Sequence, residues 1–219
     1  MKKILHMLSA VLFTVSASLT SCDEHFDFPD TDIHVGDILC TDGDILRYED
    51  YMESGKEAIG VLFHINKDQS LEGSGYAVYL RDIEPVTFAD SCGVSQDTSC
   101  SLAEEDGNVN TYSILSADCD SELADVVLSM WRYGQSAYVP SVAQMRLLYQ
   151  SKAIVNGYLT ALGADILSDE ADECWYWSST EVEGQDAVKA WLFSIQSGTI
   201  QETPKIQRHK IRPIVTINH

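Results

Sequence analysis

The chain has 219 residues, a formal net charge of −20 and 45% hydrophobic residues, which suits one domain with a sizeable core. A chain this acidic repels nucleic acid, anionic lipid and sulfated glycans, so we expect no nucleic-acid partner. The same charge also serves to keep an exposed protein soluble.

Residues 1–21 have the composition of a secretory signal peptide. Lys2 and Lys3 precede an apolar run that ends in small residues and is too short to span a membrane. The sequence LTSC at 19–22 resembles a lipobox, the processing site of bacterial lipoproteins. The resemblance implies cleavage before Cys22 and lipidation of its sulfur, and the alternative is an ordinary signal peptide with a chance cysteine. Loss of the two lysines would take the net charge from −20 to −22.

Residues 22–34 are acidic, contain Pro29 and lack a long apolar period, so we expect a tether between the lipid and the domain. Acidic residues directly after a lipidated cysteine resemble the surface-export signal of some Gram-negative lipoproteins. We therefore expect a protein of the outer membrane that faces outward and touches the membrane through its lipid anchor only. A periplasmic protein is the alternative. Residues 35–219 are then a single domain.

Lipidation of Cys22 leaves five of the six cysteines, in a compartment that permits disulfides. Because five is odd, at least one thiol stays free or pairs with another chain. Cys92 and Cys100 flank a short polar loop and make the most natural local bridge, with a fully reduced set as the alternative. Zinc or redox spacing is absent, and we predict no metal and no cofactor.

Strand signals dominate the first part of the domain. Short extended pieces around an Asp-Gly turn are predicted over 35–51, and buried strands over 58–65 and 75–82. The lone His64 is expected to pack and not to bind a ligand. Residues 84–113 are rich in serine, glycine and acidic residues and are predicted to be mostly loop.

Apolar residues then recur at helical spacing. One helix is predicted over 118–134, and a second over 140–150, where Ser141 and Gln144 form a capping box. A third helical stretch is predicted over 152–163.

Strands return over 174–179, 187–195 and 210–217. Pro213 cannot donate to a ladder and predicts an edge or a bulge in the last strand. The order of strands, helices and strands predicts an α+β fold and not a doubly wound sheet.

Several segments in this order resemble the DUF1566 family of bacterial surface proteins, which is assigned to the C-type-lectin-like superfold. The most specific are YVPSVAQMRLLY at 138–149, YWSST at 176–180 and the terminal Arg212-Pro213. The likeness covers most of residues 35–217, although Tyr138 stands near the place where the family usually has tryptophan. It implies paired terminal strands, two helices beside a small sheet, and a ligand site in an excursion near the C-terminal sheet.

The aromatic run at 174–181 lies on a central strand of the implied fold. Strand alternation places Trp175 and Trp177 on one face and Tyr176 on the other. We expect Trp177 to belong to the core. Arg212 is expected to stack on an aromatic ring or to pair with a carboxylate at the core edge.

The sequence contains no motif typical of a calcium-dependent lectin site or of a catalytic site. The tripeptide motifs of calcium-dependent lectins are absent, and the acidic run at 165–173 is expected to be a solvated loop, although its carboxylates are of the type that binds calcium. A formylglycine-generating oxidase needs two C-terminal cysteines, whereas this chain has only Cys174 there. The sequence therefore predicts a protein that is not an enzyme.

We predict a lipid-anchored, non-catalytic surface domain that binds a glycan or a surface protein. The candidate ligand-binding residues are Tyr176, if it faces outward, and Glu181, Glu183 and Asp186 in the following loop. Aromatic rings stack on sugar faces and carboxylates accept sugar hydroxyls. The alternative is a structural or assembly subunit of a surface complex or appendage. That role predicts an exposed apolar patch or strand edge in place of an aromatic–carboxylate pocket.

Overall fold

The structure is a computed structural model that describes residues 32–67, 73–90, 93–132 and 135–218. Within it, Ile33–His219 form one compact unit. The signal peptide, Cys22 and all but the last residues of the tether lie outside the described residues, and so does Cys92.

The described residues contain four helices and twelve strands. The helices are α1 (Tyr48–Ser54), α2 (Gly107–Ser116), α3 (Glu122–Leu128) and α4 (Val142–Ala161). The strands are β1 (Ile38–Cys40), β2 (Ile45–Leu46), β3 (Ala58–Ile65), β4 (Gly75–Tyr79), β5 (Ile83–Thr87), β6 (Trp131–Arg132), β7 (Gln135–Ser136), β8 (Trp175–Glu181), β9 (Lys189–Ser194), β10 (Ile200–Pro204), β11 (Arg208–Ile211) and β12 (Ile214–Ile217). The combination of these helices with antiparallel and mixed sheets confirms the predicted α+β class.

Two five-stranded sheets form the body of the domain. The first has the order β12-β4-β3-β1-β2 and is antiparallel throughout. The second has the order β10-β9-β8-β11-β5, and its single parallel contact joins β8 to β11. β6 and β7 make a separate two-stranded ribbon.

The last strand changes sheets at Pro213. The prediction of one strand over 210–217 is wrong, because β11 belongs to the second sheet and β12 to the first. Proline has no N–H for a ladder, so the regular pairing stops there, and its carbonyl accepts from the Tyr79 amide at 3.0 Å. The terminal strands also do not pair: β12 lies on β4, and β1 lies between β3 and β2.

Helix α4 is one continuous element where the sequence predicted two. Its capping box is present: the Ser141 hydroxyl accepts from the Gln144 amide at 3.3 Å, and the Gln144 side chain accepts from the Ser141 amide at 3.0 Å. Buried residues along the helix, among them Met145 and Leu148, pack into the apolar cluster that also contains residues of β3.

The two faces of β8 lie in different apolar clusters. Trp177 packs with Phe88 in one cluster, and Tyr176 packs with residues of α4 in the other. Trp177 is fully buried, and its indole N–H donates to the Val86 carbonyl at 3.0 Å. The expectation that Trp177 belongs to the core is confirmed.

Candidate functional site

Two of the four ligand-binding residues predicted from the sequence are buried. Tyr176 has no exposed surface, and its hydroxyl donates to Asp82 Oδ2 at 3.1 Å. Burial raises the pKa of this phenol far above its usual range. Tyr176 was a candidate only if it faces outward, and that condition is not met, because strand alternation turns it into the apolar layer beside α4.

Glu181 is also fully buried and cannot reach a ligand in solvent. Its carboxylate pairs with Lys205 and accepts from the backbone amides of Gln96 at 2.8 Å and Thr98 at 3.0 Å. Glu183 is exposed and Asp186 is partly exposed on the loop that follows β8. The sequence therefore placed these residues in one loop, but the structure separates Glu181 from the other two by burial.

An open cleft of about 670 Å³ lies instead beside the start of β8. Three stretches far apart in the sequence line it, at 82–85, 171–175 and 208–210, together with Asp165. Trp175 is its aromatic residue; it is partly buried and packs against both apolar clusters. The cleft thus combines an aromatic ring held by the core with many charged side chains.

Asp82 organises one wall of this cleft. Its Oδ1 accepts from Arg212 Nη1 at 2.8 Å, and its Oδ2 accepts from Lys210 at 3.0 Å and from Tyr176. Arg212 is fully buried, and its second nitrogen donates to the Asp165 carbonyl at 2.7 Å. The expected pairing of Arg212 with a carboxylate at the core edge is confirmed.

Three carboxylates on the cleft have no side-chain partner among the described residues. They are Glu84, Asp172 and Glu173, and all three are exposed. Other charges there are already paired, as Arg208 is with Glu122 at 3.0 Å. The free carboxylates can therefore accept hydrogen bonds from a ligand.

His209 adds an uncharged polar group to the same cleft. Its ring lies edge-on to Trp177 with the centroids 5.3 Å apart. Burial lowers the pKa of the imidazole below its usual value, which favours the neutral form at neutral pH. A neutral imidazole offers one donor and one acceptor to a ligand.

The acidic run at 165–173 does not converge on a common point. Asp165 pairs with Arg81 and Asp169 pairs with Lys152, whereas Asp172 and Glu173 line the cleft. Within the part of the chain that the structure describes, no group of three or more potential ligands could hold a metal ion. Cys100 is a free thiol in the structure, and the predicted Cys92–Cys100 bridge cannot be compared with it because Cys92 lies outside the described residues.

None of the helices in the described ranges is long and apolar enough to cross a membrane.

No family model and no curated protein matches the chain. A fimbrial protein from Bacteroides ovatus ATCC 8483 has a similar structure, with a TM-score of 0.61 and 16% sequence identity. The similarity covers 84% of this chain and 49% of the fimbrial protein, so the chain spans about half of its length. At this identity the likeness shows a shared fold.

Proposed function

We propose that the protein is a non-catalytic binding domain of the cell surface and that it binds a glycan in the cleft beside Trp175. The observation that carries the proposal is the pairing of a core-anchored indole with three unpaired carboxylates in one open cleft. An aromatic ring stacks on the apolar face of a sugar ring, and carboxylates accept from its hydroxyls.

The charge of the site narrows the class of ligand. Glu84, Asp172 and Glu173 repel sulfate and carboxylate groups, and the net charge of −20 adds to that repulsion. A neutral glycan, or one that carries a free amine, fits the cleft. Lys210 is already engaged with Asp82 and does not reverse this preference.

The location rests on the N-terminal sequence. The signal peptide and the lipobox at 19–22 support a lipid anchor in the outer membrane, and the acidic tether supports an outward orientation. The fold shared with a fimbrial protein fits a cell-surface location. The resemblance to the DUF1566 family and to C-type-lectin-like domains is a further support for a binding role.

The test is a glycan array probed with residues 23–219 and with two exposed-site variants. The double variant Asp172→Asn/Glu173→Gln removes two cleft carboxylates, and Glu183→Gln is the matched control on the loop after β8. All three residues are exposed, so the substitutions leave the core intact. We expect the double variant to bind about tenfold or more weakly, since a hydrogen bond to a charged group contributes about 1.5–3 kcal/mol.

Glu183→Gln should bind as the wild type does. Loss of binding in Glu183→Gln with full binding in the double variant would move the site to the loop predicted from the sequence. A blank array for the wild type at high protein density would overturn the glycan proposal.

A second candidate function is contact with another copy of the chain in a surface appendage. Helix α2 exposes Val109, Tyr112 and Leu115, at 61%, 67% and 44% of their surface. Their spacing of three residues places them along one side of the helix. This is an exposed apolar patch of the kind that an assembly role predicts, and the shared fold with a fimbrial protein fits it.

Light scattering over a range of concentrations tests this candidate. Self-association that Tyr112→Ser abolishes would support it. A monomer at every concentration would contradict it, and neither result affects the cleft.

A further inference from the structure

A lysine, a glutamine and a glutamate meet in a sealed space at the end of the second sheet. Lys205 and Glu181 are fully buried, and Gln96 is 1% exposed. Glu181 ends β8, Lys205 follows β10, and Gln96 lies in the irregular segment that precedes α2. Three chain segments therefore place an amine, a carboxamide and a carboxyl group together, away from solvent.

The Lys205 amine donates three hydrogen bonds, one for each of its N–H groups. It donates to Glu181 Oε1, to Gln96 Oε1 and to the Val94 carbonyl, the last at 3.2 Å. The Phe88 ring covers it, with its centroid 5.4 Å from Nζ. Because a C=O bond is only about 1.2 Å long, contact with the amide oxygen also brings the amine next to the amide carbon of Gln96.

The Glu181 carboxyl group is held just as firmly. Its oxygens accept from the backbone amides of Gln96 and Thr98 and from the Thr98 hydroxyl at 3.1 Å. These bonds aim one oxygen at Lys205 and fix the distance between the carboxyl group and the glutamine. Glu181 Oε1, held against Lys205 Nζ, can take a proton from it without moving, whereas the Gln96 amide nitrogen comes within its reach only when the amide carbon has become tetrahedral.

The amide nitrogen of Gln96 has no hydrogen-bond partner among the described residues, although it is buried. Buried polar nitrogens in folded proteins are nearly always hydrogen-bonded, and an unsatisfied one is destabilising. If Gln96 only accepted a hydrogen bond from Lys205, its unsatisfied amide nitrogen would destabilise the domain with no compensating interaction. The nitrogen is, however, the atom that would depart if the amide carbon were attacked.

We propose that Lys205 and Gln96 form an intramolecular isopeptide bond, with Glu181 as the proton carrier. A proton first passes from Lys205 Nζ to Glu181 Oε1, which turns a buried ion pair into two neutral groups. The contact between Nζ and Oε1 lets this transfer take place without movement of either side chain. The lone pair of the neutral amine is then free to attack.

The new bond joins Lys205 Nζ to the amide carbon of Gln96, and a tetrahedral intermediate forms. Glu181 donates its proton to the amide nitrogen, the bond from carbon to that nitrogen breaks, and ammonia leaves. The remaining surplus proton on Nζ returns to Glu181. One amine and one carboxamide thus give one secondary amide and one ammonia, with no change of oxidation state and no co-reactant.

Such a bond would fasten the segment before α2 to the end of β10, two places 109 residues apart in the chain. It would act independently of the Trp175 cleft, so it goes beyond the proposed glycan binding. The site is a covalent clamp within the domain, not a ligand site.

Peptide mapping of the full chain, denatured and digested with trypsin, tests the proposal. We expect no cleavage after Lys205, and one joined species that contains Gln96 and Lys205 with a mass lower than the sum of its peptides by one ammonia. Two separate unmodified peptides would overturn the proposal and leave a buried ion pair.

The chain supplies its own control. Lys189 contacts Glu202 at 3.0 Å, and Gln185 contacts the same carboxylate at 3.2 Å, but the Lys189 side chain is 31% exposed. Trypsin should cut after Lys189 completely, because its side chain is open to solvent and the Gln185 amide contacts Glu202 through its nitrogen. A joined species at Lys189 as well would show that burial is not the cause.

The variant Glu181→Gln tests the proton carrier. We expect the joined species to disappear in this variant, while persistence of the bond would overturn the role given to Glu181. Should the variant fail to fold, the mapping of the wild-type chain decides the existence of the bond by itself.

Discussion

Replacement of Asp82 by asparagine should strongly destabilise the domain. Asp82 is the carboxylate that faces the buried guanidinium of Arg212, at 2.8 Å, and it also accepts from Lys210 and Tyr176. Asparagine keeps the shape and one acceptor but removes the negative charge. Arg212, with a side chain that has no exposure, is then left as a buried cation beside neutral partners.

The size of the effect follows from burial. Removal of one partner from a buried ion pair costs about 3–5 kcal/mol. We expect the lower end, about 3 kcal/mol, because the Asp82 side chain keeps 16% exposure and Arg212 retains its bond to the Asp165 carbonyl. With a urea m-value of about 2 kcal/mol/M, the unfolding midpoint should fall by about 1.5 M.

Urea unfolding followed by tryptophan fluorescence measures this shift, with Glu202→Gln as the control. Glu202 pairs with Lys189 at the surface, where the two side chains are 40% and 31% exposed, so its loss should leave the unfolding midpoint close to that of the wild type. If Asp82→Asn unfolds within about 1 kcal/mol of this control, Asp82 does not compensate the buried charge and the reasoning is wrong.

Three further predictions concern single residues. Ser141→Ala removes the capping box of α4 and should lower the free energy of unfolding by about 1 kcal/mol in a urea titration; an unchanged value would show that packing alone sets the helix start. Gly157→Ala should raise it by about 0.5–1 kcal/mol, because Gly157 lies inside α4 and an added Cβ would meet nothing within 4 Å, and a decrease would contradict this. Burial lowers the folded-state pKa of His209, so the unfolded chain binds the proton better and stability should fall as the pH drops below about 6.5. Urea midpoints at two pH values should differ less in His209→Gln than in the wild type, and an equal difference would exclude His209 as a cause.

Elements with a strong local pattern were predictable from the sequence. The strand predicted over 58–65 has the bounds of β3, because a nearly continuous apolar run is the mark of a buried strand. The start of α4 was predictable from Ser141 and Gln144, because the two hydrogen bonds of the capping box join residues only three apart in the sequence. In both cases the signal lies within a few neighbouring residues.

Helix α2 could not be predicted in this way, and residues 84–113 were expected to be mostly loop. The helix buries Asn110 and Thr111 and exposes Val109 and Tyr112, the reverse of an amphipathic pattern. Tertiary hydrogen bonds explain the inversion. Asn110 accepts from the Ser99 amide at 2.9 Å, and Thr111 accepts from the Val139 amide at 2.9 Å. No periodicity in the sequence encodes these partners.

The cleft was hidden from sequence reasoning for a different reason. Alternation correctly separated Trp177 from Tyr176, but it could not show that both faces of β8 are covered. Alternation therefore left Tyr176 as the candidate for an exposed ring, whereas the partly buried start of the strand, at Trp175, meets solvent. Glu84 and Asp172, which line the cleft with Trp175, belong to other segments of the sequence and lie near it only in the folded chain.

The change of sheets at Pro213 has a consequence for the timing of folding. The first sheet lacks its edge strand until Ile214–Ile217 exist, because β12 pairs with β4 and bridges to Tyr138. The segment that completes this sheet is far from its partner β4 in the sequence. Such distant pairings form slowly, and a chain that lacks its last strand cannot close the sheet early. Pairing of β12 is therefore expected among the late steps of folding, and a chain cut before Ile214 should leave β4 as an open edge of the first sheet.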